Sequence, residues 1–216
     1  MKKGLFIVIE GIDGAGKGVQ SKLLVKWLKE TKGRSAFLTM EPTSGKIGRL
    51  LRDALKTESV SPESIALLFA ADRMEHMKEI NQKLTEGKVV VCDRYFYSSI
   101  AYQGAQGVEL EWIKTINQFA IIPDVVIYLD IAPEKSLGRI SSKESFRSLV
   151  KEKEFLEKKD FLEKVRKNYL DLSYDNLFVT VDAKHSIDEI QTSIRKTVGR
   201  LLPKNKDEKG MDLRSY

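Results

Sequence analysis

The chain has 216 residues and a formal net charge of +6, with 37 Lys and Arg against 31 Asp and Glu. This length favours one domain with a sizeable core, and the single cysteine, Cys92, excludes an intramolecular disulfide framework. No apolar stretch approaches the roughly 18–20 residues of a membrane span and the N-terminus lacks a signal-peptide pattern, so we expect a cytoplasmic protein with no membrane partner. The basic excess suits a protein that handles polyphosphates, and because no basic stretch is interleaved with aromatic residues we expect no nucleic-acid partner.

Short apolar runs alternate with helix-length patterns along the chain. Their continuous apolar character predicts buried parallel strands at 5–9, 36–39, 89–91, 125–129 and 177–181. Helices are predicted at 17–31, 46–56, 62–86, 109–120, 133–140, 154–174 and 187–201. The alternation predicts an α/β three-layer fold, in which helices flank a five-stranded parallel sheet and ligands bind at the carboxyl ends of the strands.

A glycine-rich loop follows the first predicted strand. It matches the phosphate-binding pattern of glycine, four residues, glycine and lysine, but Gly18 stands where a serine or threonine hydroxyl would contact magnesium. The backbone N–H groups of such a loop converge on one anion, and Lys17 adds its charge at the positive end of a helix. We therefore predict an ATP site formed by Gly11, Ile12, Asp13, Gly14, Ala15, Gly16, Lys17 and Gly18. The alternative is a tight strand–helix turn that happens to contain a lysine.

The third predicted strand ends in Asp93-Arg94-Tyr95. An aspartate in this position can hold a magnesium-bound water, and a neighbouring guanidinium can bind a phosphate through two N–H groups. A salt bridge that closes the strand end is an alternative that is compatible with both roles.

A third cluster lies on the long helix predicted at 62–86. Phe69 and Arg73 are four residues apart and share one helix face, so a ring that stacks on a base and a guanidinium that reads the edge of that base would lie together. Taken alone, Phe69 fits a position in the hydrophobic core better.

Together these clusters resemble the thymidylate kinase family over about residues 4 to 200. Residues 91–103 are similar to the family signature, 69–73 to its base-binding helix, 41–43 to its Glu-Pro turn, 123–130 to its fourth strand and 161–170 to the helix after its lid. The resemblance implies transfer of the γ-phosphoryl group of ATP to dTMP for dTTP synthesis, with Mg²⁺, in a homodimer. It also implies a P-loop kinase domain over residues 1–202 with a lid at about 141–153, and we expect a mobile tail at 203–216.

The resemblance also implies roles for individual residues. The catalytic residues would be Lys17, Asp93, Arg94 and Arg147, and Asp93 would hold magnesium through water. The residues that would bind dTMP are Asp13 at the sugar 3′-hydroxyl, Phe69 and Arg73 at the base, Arg94 at the phosphate, Ser98 and Ser99 beside phosphate and base, and Tyr102 where a 2′-hydroxyl would lie.

The chain departs from the family pattern at several positions. Gly18-Val19 replace two hydroxyl residues, Met40 replaces an arginine, and Thr43-Ser44 replace a pair of glycines. Gly14 stands where some relatives carry an arginine in the loop, which favours Arg147 of the lid as the catalytic arginine. Two alternatives remain open: a nucleotide kinase with broader or different base specificity, and a nucleotide-binding protein with weakened catalysis.

Overall fold

Five parallel strands form one sheet in the order β2-β3-β1-β4-β5. The computed structural model describes residues 4–57, 59–141 and 150–202, and places the strands at β1 Leu5–Glu10, β2 Ala36–Met40, β3 Val89–Asp93, β4 Val125–Asp130 and β5 Phe178–Asp182. Each apolar run that predicted a strand overlaps one of them, with bounds that differ by at most two residues. The predicted α/β class with a five-stranded parallel sheet is therefore confirmed.

Helices separate the strands along the chain. In the described residues they are α1 Lys17–Glu30, α2 Lys46–Thr57, α3 Pro62–Thr85, α4 Phe96–Ala105, α5 Leu110–Ile116, α6 Pro133–Ser141, α7 Val150–Leu172 and α8 Ile187–Leu201. Two groups of them cover the sheet: α1 packs against α8, whereas α3, α4 and α7 pack in succession. The central strands β1, β3 and β4 are almost wholly buried, which explains why their sequences are continuously apolar.

Helix α4 was not among the predicted helices. Its aromatic and serine residues have modest helix propensity, and its buried positions occur on most of its circumference rather than in one stripe. The amphipathic period that signals a surface helix is therefore missing. The helix predicted at 109–120 was too long: α5 ends at Ile116, because Asn117 already leaves the helical conformation.

Several predictions of domain organisation lie largely or wholly outside the described residues. Arg147 and most of the expected lid belong to 142–149, and the expected tail begins at 203. The lid, the tail and the division into one domain therefore stay predictions. Within the described ranges, no helix has both the length and the apolar character that are needed to cross a membrane.

Candidate functional site

The glycine-rich loop joins the end of β1 to the start of α1, as predicted. Gly11, Gly14 and Gly16 all have positive φ, at 149°, 79° and 99°. Gly14 is also packed against α6, since a Cβ there would lie 2.5 Å from the carbonyl oxygen of Ser136. An arginine in place of Gly14 would thus meet both backbone strain and a collision. The loop ends at the N-terminus of α1, where unpaired N–H groups favour an anion.

Lys17 is the first residue of α1, and its side chain is buried. Its Nζ donates to the carbonyl oxygen of Ile12 at 2.9 Å and lies 3.9 Å from Asp13 Oδ1. Burial, reinforced by the nearby Arg94, lowers the pKa of Lys17 to about 8. The nearby carboxylates of Asp13, Asp93 and Glu10 offset this lowering only in part, and a bound phosphate would add further negative charge.

A cavity of about 1020 Å³ opens beside the loop at the carboxyl ends of the strands. One wall is formed by loop residues 13–18, and another by the ends of β2 and β3, including Asp93 and Arg94. It continues to Arg139 and residues 185–187 at the start of α8. This is the edge at which a parallel α/β sheet binds its ligands.

Arg94 occupies a strained position at the floor of this cavity. It has a φ of 70°, which puts a non-glycine residue in the left-handed region. Its guanidinium donates to Ser98 Oγ at 2.9 Å, to Tyr102 Oη at 3.3 Å and to Asp13 Oδ1, and it lies 5.0 Å from the centre of the Tyr102 ring. The side chain is thereby directed at the glycine loop.

A buried carboxyl group, Glu10, fixes the turn that carries Arg94. It accepts hydrogen bonds from the backbone N–H of Tyr95 at 2.8 Å and of Ser98 at 3.2 Å, and from the hydroxyls of Ser98 at 2.7 Å and Tyr169 at 2.8 Å. Burial raises the pKa of Glu10 despite the nearby Arg94. The sequence analysis missed this residue, although a charged side chain at the end of an apolar run was a signal for it.

Arg73 lies deep in the fold, with 1% of its surface exposed. Its Nε donates to Glu41 Oε2 at 2.8 Å, its Nη2 lies 2.6 Å from the same oxygen, and its Nη1 donates to Asn117 Oδ1. Ser99 Oγ is 3.5 Å from Nη2, so Ser99 lies beside Arg73 as Ser98 lies beside Arg94. Phe69 is partly buried one helical turn before Arg73.

Glu41 links Arg73 to the cavity. It lies just after β2, lines the cavity, and its backbone N–H donates to the carbonyl oxygen of Asp93 at 3.1 Å. Sequence reasoning quoted Glu41 only as part of a turn, and it missed Asn117 and His76, which complete the hydrogen bonds around Arg73 and Glu41. A glutamate beside a proline and a histidine on the helix face of Arg73 were the signals available.

Asp93 and Gly18 lie next to each other on the cavity wall. A Cβ on Gly18 would lie 3.3 Å from Asp93 Oδ2, so the absence of a side chain leaves room beside that carboxylate. Burial raises the pKa of Asp93, against the lowering effect of Lys17. Among the described residues no cluster of three or more His, Cys, Asp and Glu side chains is built to hold a metal. One carboxylate beside a phosphate site fits Mg²⁺, which keeps several waters and binds through one or two carboxylates plus phosphate oxygens.

Two further positions where the sequence departs from the family pattern lie on the wall of this cavity, and a third lies in the turn after β2. Val19 and Met40 line the cavity with 44% and 53% of their surface exposed. Thr43 is held in place, because its backbone N–H and its hydroxyl both donate to Asp72, at 2.7 and 2.6 Å. The replacement of a glycine by Thr43 therefore adds a fixed hydrogen bond to the turn after β2.

The structure groups the predicted site residues in two places. Lys17, Asp13, Arg94, Ser98 and Tyr102 are linked by direct contacts around the loop, with Asp93 on the same cavity. Arg73 and Ser99 form a second, more deeply buried group that is connected through Glu41. The role of each residue stays a prediction, and Arg147 lies outside the described residues.

Comparison with known proteins gives one consistent result. The thymidylate kinase family matches residues 9–194. A probable thymidylate kinase of Methanococcus aeolicus is 43% identical over 204 residues, which cover 94% of this chain and 97% of the relative. Probable thymidylate kinases of Pyrococcus horikoshii and Methanocaldococcus jannaschii are 46% and 45% identical, over 89% and 90% of this chain and 94% and 95% of those relatives.

Proposed function

The chain belongs to the thymidylate kinase family, and from this membership and the geometry of its cavity we propose that it transfers the γ-phosphoryl group of ATP to dTMP, giving ADP and dTDP. The observation that carries the proposal is the placement of two cations. Lys17 at the glycine loop and Arg94 at the end of β3 border the same cavity, and both contact Asp13. Phosphoryl transfer depends on such positioning and on charge stabilisation rather than on covalent chemistry by the protein.

The loop side of the cavity suits the phosphate donor. Backbone N–H groups of residues 11–18 and the ammonium of Lys17 would surround the phosphates of ATP. The extension of the cavity towards Arg139 and residues 185–187 provides space for the adenosine. Asp93 would hold magnesium through water, and the bound ion would neutralise charge on the donor phosphates.

The Arg94 side of the cavity suits the acceptor. Arg94 would bind the phosphate of dTMP, and its contacts with Ser98 and Tyr102 keep the guanidinium in place beforehand. Asp13 has an exposed carboxylate that would accept from the 3′-hydroxyl of the sugar. The ring of Tyr102 would lie where a ribonucleotide carries its 2′-hydroxyl, which favours the deoxy form.

The base would lie against α3. Phe69 would stack on thymine, Ser99 would lie beside the ring, and Arg73 would donate to an exocyclic oxygen. Arg147 of the expected lid would stabilise charge on the transferring group. Such an arginine contributes orders of magnitude to the rate of phosphoryl transfer.

A steady-state assay of ADP release tests the proposal. The purified chain is given ATP, Mg²⁺ and one of dTMP, dUMP, dCMP or dGMP, and we expect dTMP to have the highest kcat/KM. Lys17→Met, which keeps the length of the side chain and removes its charge, should lower kcat roughly 100- to 1000-fold. Lys26→Met is the matched control, because Lys26 is exposed on the same helix and contacts only Glu30 at 3.9 Å among the ion pairs described for this helix.

Two results would contradict the proposal. Turnover with dTMP no better than with the other monophosphates would favour a nucleotide kinase of different specificity. Binding of ATP and dTMP without turnover would favour a nucleotide-binding role with weakened catalysis. The homodimer and the cytoplasmic location also stay predictions, and sedimentation of the purified chain tests the first.

A further inference from the structure

The guanidinium of Arg73 is held by groups that leave it little freedom. Glu41 Oε2 contacts both Nε and Nη2, Asn117 Oδ1 accepts from Nη1, and the ring of Tyr95 lies 5.3 Å from the guanidinium carbon. A guanidinium has five N–H groups in a fixed plane. Once Glu41 and Asn117 have set that plane, the directions of the remaining N–H groups are set too.

Glu41 is itself held by His76 from the neighbouring turn of α3. His76 Nδ1 lies 3.1 Å from Glu41 Oε1, and His76 Nε2 lies 2.6 Å from the hydroxyl oxygen of Thr39 on β2. A carboxylate only accepts hydrogen bonds, so the hydrogen on the His76 ring is assigned to Nδ1. His76 and Glu41 are each 4% exposed, so water does not compete for these bonds.

These bonds divide the two oxygens of Glu41 between two partners. Oε2 takes both contacts from Arg73, and Oε1 takes the bond from His76. Without His76 the carboxylate could rotate about its terminal torsion, which is broad for glutamate, and the guanidinium could follow it. The His76–Glu41 bond therefore fixes the carboxylate plane on which the orientation of Arg73 depends.

We propose that His76 is a positioning residue for base recognition: through Glu41 it fixes Arg73, and it thereby sharpens the preference for a pyrimidine with a carbonyl oxygen at ring position 4 over one with an amino group there. This inference rests on the proposed function, in which Arg73 meets the base. A fixed N–H group of Arg73 makes a favourable hydrogen bond with a carbonyl oxygen of the base, whereas an amino group in the same place leaves two buried donors facing each other. A guanidinium that can turn away avoids this conflict, so mobility of Arg73 lowers selectivity.

The test compares three variants in binding and in turnover. His76→Phe keeps an aromatic ring and removes both ring nitrogens, whereas His76→Asn keeps an N–H group near the position of Nδ1 that can donate to Glu41. Ile80→Val is the control, because Ile80 is buried one turn further along α3 and its side chain has no polar atoms. Calorimetry gives the Kd of dTMP and of dCMP, and steady-state assays give kcat and KM for both.

We expect His76→Phe to lower the dTMP:dCMP preference at least about tenfold, through weaker binding of dTMP and tighter binding of dCMP, with kcat at saturating dTMP within a few-fold of the parent. His76→Asn should recover most of the preference. Ile80→Val should lower the melting temperature and leave the preference unchanged. If His76→Phe does not fold, Thr39→Val takes its place, because it removes only the partner of Nε2 and should lower the preference by a smaller factor.

Three results would overturn the inference. The first is a folded His76→Phe variant, or failing it a Thr39→Val variant, that keeps the parental preference for dTMP over dCMP. The second is a His76→Asn variant whose preference is no higher than that of His76→Phe, and the third is a parent that turns over dTMP and dCMP equally well. The first two leave the proposed function intact. A parent that binds dTMP preferentially but releases no ADP contradicts the kinase function alone, and the binding measurements then still decide the role of His76.

Discussion

The buried ion pair between Arg73 and Glu41 gives a stability prediction that can be worked out from the structure. Both side chains are 2% exposed, and the closest contacts are 2.8 and 2.6 Å. Two such charge centres about 4 Å apart attract by about 4 kcal/mol at an effective dielectric constant near 20. Removal of one partner of a buried pair costs about 3–5 kcal/mol, because the other charge stays buried.

Glu41→Gln removes the charge and keeps the shape, and its amide nitrogen takes the place of the oxygen that faces His76 Nδ1. We expect a loss of about 3 kcal/mol, at the lower end of that range, because Asn117 and the new amide oxygen still accept from Arg73. For a chain of this size that corresponds to a fall in the melting temperature of about 6–12 °C. Urea unfolding followed by circular dichroism measures it, with the slope of free energy against urea concentration unchanged.

A double-mutant cycle shows whether the loss belongs to the pair. Arg73→Met leaves the Glu41 carboxylate buried and should also destabilise the fold, but the double variant has neither charge. We expect it to be more stable than the sum of the single losses implies, by about 1–3 kcal/mol. The electrostatic reasoning would be refuted if the free energy of unfolding of Glu41→Gln lay within about 1 kcal/mol of the parent, or if the double variant lost the sum of the two single losses.

Three further predictions concern the glycine loop and the turn behind it. Tyr169→Phe removes a fully buried donor to the carboxyl group of Glu10 and should lower the free energy of unfolding by about 2 kcal/mol. Tyr174→Phe, at an exposed position, should leave it unchanged. Equal melting temperatures for the two variants would contradict this prediction. Burial lowers the pKa of Lys17 to about 8, so in the unliganded protein its amine is largely neutral at pH 9. The charge of bound ATP raises this pKa again, so ATP binding at pH 9 should take up close to one proton, whereas binding to Lys17→Met should take up almost none. Calorimetry in buffers of different ionisation enthalpy measures the uptake, and no uptake by the parent at pH 9 would count against the placement of Lys17 at the phosphates of ATP. Gly18→Ser should place a hydroxyl beside Asp93, where we propose that magnesium binds, and lower the Mg²⁺ concentration needed for half-maximal rate by up to about tenfold. An unchanged requirement would mean that water serves there equally well.

Patterns within short segments predicted a large part of this fold. The apolar runs located all five strands, because a strand buried on both faces leaves a continuous apolar signature in its own sequence. Gly14, Gly16 and Lys17 located the loop in the same way, since the loop geometry needs positive φ at particular positions. Helix α4 was missed for the corresponding reason: it is buried around most of its surface, so its sequence carries no amphipathic period.

The sequence by itself therefore determined the class of fold, the phosphate-binding loop and, through its resemblance to thymidylate kinases, most of the candidate residues. Only the tertiary structure decided which side chains hold those residues in place. Glu10 and Tyr169 are separated by 159 positions and still share a hydrogen bond, and Asn117, just after α5, accepts from Arg73 of α3, 44 positions earlier. Such contacts, and the pKa shifts that burial causes, arise from packing between distant segments and leave no pattern in either segment alone.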